Sequence, residues 1–233
     1  MSLFSASLLT SVILLTPTPS AAVVPLSEAE QGALAGITAD PAPESLVRGN
    51  HYVVCNEYRP HLFYDVLEGR TGPLIGVGTD QLYTFAAWAR SELVFPMDFD
   101  AVIVDLHHVY AILFQEADTP EAFLDLWRKK RFKAVQKLLD EKSKDAKQRK
   151  RLKRVHRFAR ASVYARLKRL VRTYKKTKTP TFMTDQAQYE HIVNLIKAGR
   201  VIPLRGDLTK EGALLSIGTA LASMGKTVDI LYV

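Results

Sequence analysis

Short apolar runs alternate, from residue 73 to residue 233, with longer stretches whose apolar residues recur every three or four positions. A short apolar run predicts a buried strand, and the three-to-four spacing predicts an amphipathic helix. Four runs have the character of strands: 74–78, 93–98, 200–204 and 228–233. Strands that alternate with helices favour right-handed crossovers and a mostly parallel sheet. The pattern therefore predicts an α/β fold.

The helical stripes fall between these runs. We predict helices over the following stretches: from Thr79 or Asp80 to about Arg90, 101–115, from 119–121 onwards, 186–198 and 212–224, with a shorter helix through 61–67. Pro96 is awkward in the second strand, because proline cannot donate a ladder hydrogen bond.

The first 49 residues lack both patterns. Leu8 to Leu15 form a short apolar stretch that is followed by small residues, as in a secretory signal, but no Lys or Arg precedes it. A signal peptide and a disordered leader therefore both stay open for residues 1–22. Residues 23–49, where Pro, Ala, Ser and Thr are frequent, are interpreted as a linker. No apolar run approaches the length of a membrane span.

Charge divides the chain sharply. Residues 128–178 hold 23 of the 32 Lys and Arg residues and only three acids, which gives this segment a net charge of +20 and the remainder −12. Its apolar residues still recur at helical spacing, so we predict a basic helical insert that separates the first part of the α/β domain (50–127) from the second (179–233).

Two interpretations of the basic segment stay open. Lys and Arg on the polar face of its helices, with Phe158 and other aromatic residues between them, would bind the phosphates of nucleic acid or an anionic membrane surface. Alternatively, they form a solvated face that the acidic remainder balances.

Candidate ligand-binding residues follow the predicted strands. In an open parallel sheet, ligands bind at the carboxyl ends of the strands. The turn at Gly76 and Gly78 would let a ligand approach the backbone, and Asp98, 20 residues after Gly78, is placed to accept hydrogen bonds from both ribose hydroxyls. Asp207, after Gly206, would contact a base. These residues together predict a nucleotide-type ligand, although each alone is compatible with a tight turn or a helix cap.

No metal site and no nucleophile is predicted, and the catalytic residues remain unassigned. The single cysteine, Cys55, provides neither a disulfide nor a Cys-rich metal site. His107 and His108 are adjacent on a predicted helix and point about 100° apart, so they are poorly placed to share a metal.

Several motifs carry a resemblance to a known family: 76–84, Met97-Asp98-Phe99, the helix with His107 and Tyr110, 182–185 and 203–208. They are similar to an uncharacterised bacterial family whose members resemble class I S-adenosylmethionine-dependent methyltransferases. The similarity covers roughly residues 50–125 and 180–233. It implies a Rossmann-like sheet and S-adenosylmethionine as the cofactor, with a small-molecule or macromolecular methyl acceptor that stays unidentified.

By this resemblance, Gly76 and Gly78 would form the loop beside the methionine part of the cofactor, Asp98 would hold the ribose and Asp207 would lie near the adenine. The same motifs add further cofactor-binding candidates: Asp80, Gln81, Gly206, Asn56 and Glu57. The acidic residue usual before the glycine loop and its third glycine are absent here. The family also continues beyond the fourth strand, so the resemblance implies an incomplete, C-terminally truncated sheet. A protein that binds this cofactor is expected in the cytoplasm, and one with a genuine signal peptide is expected to be exported.

Overall fold

The computed structural model describes residues 23–46, 49–57 and 59–233, so the predicted signal peptide or leader, residues 1–22, lies outside the described residues. Within the described part the elements are α1 (Glu28–Ala35), α2 (Tyr64–Leu67), β1 (Leu74–Val77), α3 (Gln81–Ala89), β2 (Val94–Asp98), α4 (Ala101–Glu116), α5 (Pro120–Leu126), α6 (Phe132–Lys142), α7 (Ala146–Thr177), α8 (Gln186–Lys197), β3 (Leu204–Arg205), α9 (Gly212–Ser223) and β4 (Ile230–Tyr232). Short 3-10 turns precede α2 and α6.

The four strands form one sheet in the order β3-β2-β1-β4, and every pair is parallel. The predicted α/β class and the parallel sheet are therefore confirmed. Parallel neighbours end at the same edge of a sheet. The residues that follow β1, β2 and β3 consequently lie along one rim, as expected for Gly78, Asp98 and Asp207.

Pro96 lies inside the central strand β2, although proline is disfavoured there. The structure accommodates it by interrupting the pairing with the neighbouring strand. Val94 forms an isolated bridge with Val201, and regular β2–β3 pairing resumes only at Met97 and Asp98. No donor is needed at Pro96 on the side of β3, because the β2–β3 pairing is interrupted there, whereas the β1–β2 pairing runs through Pro96 without a break. The same break makes β3 shorter than the predicted strand 200–204.

Helices cover both faces of the sheet, because side chains alternate along each strand. Leu74 and Val94 point to one face, where they join the large core formed mainly with α3, α4, α7 and α8. Ile75, Phe95 and Met97 point to the other face and pack against α9 and the segment before it. Burial on both faces explains why β1 and β2 are almost continuously apolar.

Residues 23–49 were interpreted as a linker, but residues Glu28–Ala35 within them form the helix α1, which packs against α9. Ser27 and Glu30 cap this helix reciprocally, in a capping box. Arg200 donates to the carbonyl of Val24 at 2.6 Å and contacts Glu30 at 3.3 Å. These polar contacts hold the segment to the domain, and a Pro- and Ala-rich composition does not reveal them.

The basic segment contains α6 and the 32-residue helix α7, which pack against each other and against α4. The apolar stripe of α7 is buried and consists of Leu152, Val155, Ala159, Val163, Leu167 and Leu170. Most of its charged residues are exposed. Among the described residues no helix is both long enough and apolar enough to span a bilayer.

Candidate ligand pocket at the sheet edge

A cavity of about 280 Å³ opens at the carboxyl edge of the sheet, where β1, β2 and β4 end. Its walls come from the segment before α2, the turn after β1, the loop after β2 and the last residues of β4. Six lining residues matter most for its chemistry: Asn56, Glu57, Gly78, Gln81, Asp98 and Tyr232. The volume lies just below the range for small-molecule sites, about 300 to 1,000 Å³.

Asp98 supplies a carboxylate to this cavity from the last position of β2. One carboxylate oxygen of Asp98 accepts a hydrogen bond from the backbone N–H of Asp100 at 2.9 Å, and Asp98 is only 8% exposed. No Lys, Arg or His side chain in the described part of the chain pairs with it. Burial, with a smaller contribution from the charge of Asp100, raises its pKa from near 3.8 to about 6. A buried carboxylate with spare acceptor capacity favours a ligand that donates hydrogen bonds.

The glycine turn after β1 is held from behind by a histidine. Gly78 has φ of +107°, which a residue with a side chain rarely adopts. Its carbonyl accepts a hydrogen bond from Nε2 of His107 at 2.8 Å, and Nδ1 of His107 accepts from the hydroxyl of Tyr83 at 2.7 Å. Because burial lowers the pKa of His107 to about 4, its imidazole is neutral at pH 7, which fits Nε2 as the donor and Nδ1 as the acceptor. His107 acts here as a positioning residue for the turn.

Gln81 stabilises the same turn from the pocket side. Its Oε1 accepts from the backbone N–H of Thr79 at 3.2 Å, and its Nε2 donates to the carbonyl of Val77 at 3.1 Å. Glu57 also lines the pocket, and it accepts a hydrogen bond from the hydroxyl of Tyr232 at 3.0 Å. Gln81, Asn56 and Glu57, all predicted from the resemblance, thus lie in the pocket lining.

Asp80, in contrast, does not line the pocket. It is fully buried behind the glycine turn, where Arg166 of α7 donates to Oδ2 at 2.8 Å. Its other oxygen accepts from the backbone N–H of Cys55 and the hydroxyl of Thr79, each at 3.2 Å. Asp80 therefore joins α7 to the pocket wall, and neither oxygen caps α3.

Gly76 and Gly206 do not line the pocket either, and each makes room for a neighbouring side chain. A Cβ atom on Gly76 would collide with Leu82 of α3, and one on Gly206 would collide with Met97. Asp207 lies on the predicted rim, one strand beyond the pocket lining. Its Oδ1 accepts from the backbone N–H of Thr209 at 2.9 Å and from its hydroxyl at 2.7 Å, so it stabilises a turn.

One polar pair beside the pocket has no counterpart in the sequence prediction. Nδ1 of His51 lies 2.7 Å from Oδ2 of Asp100, whose other oxygen caps α4 through the N–H of Val102. Asp100 lines the pocket and His51 is partly exposed. A carboxylate that orients an imidazole is an arrangement suited to proton transfer. The Asp-Phe-Asp sequence at the end of β2 was the local signal for Asp100, whereas its partner lies 49 residues earlier.

Two further kinds of side chain bear on the chemistry of the site: potential metal ligands and the thiol of Cys55. Among the described residues, no group of three or more His, Cys, Asp or Glu side chains is arranged to hold a metal ion. The thiol of Cys55 is buried, and burial together with the charge of Asp80 raises its pKa to about 11. Because a nucleophilic cysteine needs its thiolate form, Cys55 is poorly suited to that role.

The fold and the cavity define a class: an α/β protein with a small, acidic pocket at the carboxyl edge of a parallel sheet. The family described as a domain of unknown function, DUF7790, matches residues 52–233, and the chain belongs to it. The match spans β1 to β4 together with α7, so the basic segment falls within the family domain. Comparison with curated proteins gives no match.

Proposed function

We propose that this protein is a Rossmann-like, methyltransferase-like protein whose pocket binds S-adenosylmethionine or its demethylated product. The observation that carries the proposal is the position of Asp98. It ends the strand next to the glycine turn, it is buried, and it has acceptor capacity that no described residue uses. A ribose presents two adjacent hydroxyl donors, which a single carboxylate can accept.

The strand order supports a doubly wound sheet. Dinucleotide-binding sheets have the order 3-2-1-4 over their first four strands, and ligands bind where the order reverses, outside the carboxyl ends of strands 1 and 4. The order here is the same, and the cavity opens between the ends of β1 and β4. The basic segment then enters the sheet as an insert between β2 and β3.

The charge of the pocket distinguishes between adenosine-containing ligands. Its described lining includes the carboxylates of Glu57, Asp98 and Asp100 and no Lys, Arg or His. Such a lining opposes the phosphates of a mononucleotide or dinucleotide. It favours the sulfonium and ammonium charges of S-adenosylmethionine. The same charges would bind the product less tightly, because methyl transfer converts the sulfonium into a neutral thioether.

Calorimetric titration with S-adenosylmethionine tests this proposal, with NAD as the phosphate-bearing comparison. Asp98→Asn keeps the shape of the side chain and the acceptor for the N–H of Asp100, but it removes the charge. Asp207→Asn is the matched control, since it changes an Asp on the same rim outside the pocket. We expect the wild type and Asp207→Asn to bind S-adenosylmethionine but not NAD, and Asp98→Asn to lose most of the affinity. Equal binding by all three proteins, or no binding by the folded wild type, would overturn the proposal.

A further inference from the structure

The outer surface of α7 is strongly cationic. The helix contains 14 Lys and Arg residues and no Asp or Glu. Arg149, Arg151, Lys153 and Arg166 form ion pairs with described acids on other parts of the chain. The charges that contact the domain are thus largely neutralised. The interpretation in which acidic residues balance the basic charges therefore applies to this side of the helix only.

The opposite side carries seven exposed cations, which we call the cationic face: Lys147, Lys150, Arg154, Arg157, Lys168, Arg172 and Lys175. None of them forms an ion pair with any residue in the described ranges. With 3.6 residues per turn they fall within a sector of about 80°, and at 1.5 Å per residue they extend over about 42 Å. A long row of unneutralised cations matches a linear polyanion, which releases counterions when its phosphates are bound.

An aromatic side chain lies beside this row. Phe158 is adjacent in sequence to Arg157, and it is 56% exposed although its ring is apolar. Its ring packs at a steep angle against the ring of His51, with 5.6 Å between the centroids. Since His51 contacts Asp100, which lines the pocket, Phe158 is linked to the pocket lining through His51. An exposed ring among cations is the combination that single-stranded nucleic acids use for base stacking.

We propose that the cationic face and Phe158 bind single-stranded nucleic acid. An anionic membrane is a poorer match, because the apolar stripe that an interfacial helix would insert into lipid is buried inside this protein. The residues proposed to bind the strand all belong to α7, so the inference is independent of what the pocket binds.

Fluorescence anisotropy with a labelled oligo(dT) of about 15 nucleotides tests the proposal, because that length spans a typical single-strand site. We expect binding that weakens steeply between about 50 and 200 mM salt. The double substitution Arg154→Gln/Arg157→Gln should lower the slope of log K against log salt by about 1.4, since each single-strand phosphate contact contributes about 0.7. The control Lys197→Gln/Lys210→Gln makes the same charge change at exposed sites elsewhere and should leave the slope unchanged.

Phe158 is tested separately from the charges. Phe158→Ala should weaken oligo(dT) binding by roughly fivefold to 150-fold, the range for one base–aromatic stack, and Phe158→Tyr should restore it. Asp98→Asn should have no effect, which separates this proposal from the ligand pocket. The proposal is overturned if the control variant weakens binding as much as Arg154→Gln/Arg157→Gln does. It is equally overturned if a DNA duplex binds the protein as tightly as oligo(dT) does and Phe158→Ala does not weaken that binding. The same holds if the protein binds anionic phospholipid vesicles but not oligo(dT).

Discussion

Arg166 and Asp80 form a buried ion pair, with 2.8 Å between Nε and Oδ2, although they are 86 residues apart in the chain. Arg166 is 7% exposed and Asp80 is fully buried. The pair ties the basic helix α7 to the start of α3, directly behind the glycine turn. The pair also explains why Asp80, although it is beside a glycine turn, lies behind the residues that line the pocket and does not line it itself.

Removing one member of this pair should destabilise the protein strongly. Asp80→Asn leaves the guanidinium buried without a counter-charge, and we expect a loss of about 3–5 kcal/mol in the free energy of unfolding. Urea denaturation measures this loss. The double substitution Asp80→Leu/Arg166→Met should lose less than the sum of the single ones, because no buried charge remains. Additive losses would show that the two side chains do not interact.

His107 should control the shape of the glycine turn. In His107→Ala the carbonyl of Gly78 and the hydroxyl of Tyr83 both lose their partner inside the core, and a cavity remains. We expect a destabilisation of about 2–5 kcal/mol by thermal or urea denaturation. His107→Gln can donate to the carbonyl and should recover part of the loss. If both variants unfold like the wild type, the histidine does not hold the turn.

Acid should destabilise the protein through three buried histidines. Burial is the main cause that lowers the pKa of His107, His156 and His191 to about 4, whereas an unfolded histidine titrates near 6.5. The unfolded state therefore binds more protons between these values, and stability that is present above pH 6.5 is lost as the pH falls towards 4. Burial also lowers the pKa of His108, which adds to this trend, and Asp98 opposes it, so the unfolded state binds at least about two more protons than the folded state. Free energies of unfolding measured across this range test it, and a flat profile would contradict it.

Asp98 should lower the free energy of unfolding of the ligand-free protein at neutral pH, although we propose that it binds the ligand. Its pKa is about 6 in the folded protein and near 3.8 when unfolded, so the folded state binds the extra proton between these values. Its favourable contribution is complete below about pH 4 and is lost as the pH rises through 6. Asp98→Asn should therefore raise the free energy of unfolding at pH 7.5 by up to about 3 kcal/mol, and the gain should vanish near pH 4. A variant that is less stable than the wild type at pH 7.5 would contradict this account of the site.

The sheet and most helices were predictable because their signals are local. The apolar periods of β1, β2, α4 and α9 are visible in single stretches of the sequence, and Gly78 and Asp98 follow strands that end at a common edge. The helix α1 was missed because Leu34 is its one large apolar residue and none of its residues is fully buried. Its capping box, Ser27 with Glu30, was nevertheless a readable signal.

The parts that escaped prediction depend on distant partners. Nothing near Asp80 in the sequence reveals that Arg166 pairs with it, and nothing near Asp100 points to His51. Asp207 follows β3 in the expected way, yet its carboxylate bonds to Thr209 and stays outside the pocket lining. Local patterns thus identify the edge of the sheet where a ligand would bind, whereas tertiary packing decides which carboxylates face the cavity.

The central claim is that Asp98 accepts hydrogen bonds from ribose hydroxyls, and a pairwise affinity measurement tests it most directly. Calorimetry would compare S-adenosylhomocysteine with its 2′,3′-dideoxy analogue, in the wild type and in Asp98→Asn. Because a hydrogen bond to a charged group contributes about 1.5–3 kcal/mol, the wild type should bind the dideoxy analogue at least about tenfold more weakly. The variant should distinguish the two ligands little. An equal ratio of affinities in both proteins would contradict the claim.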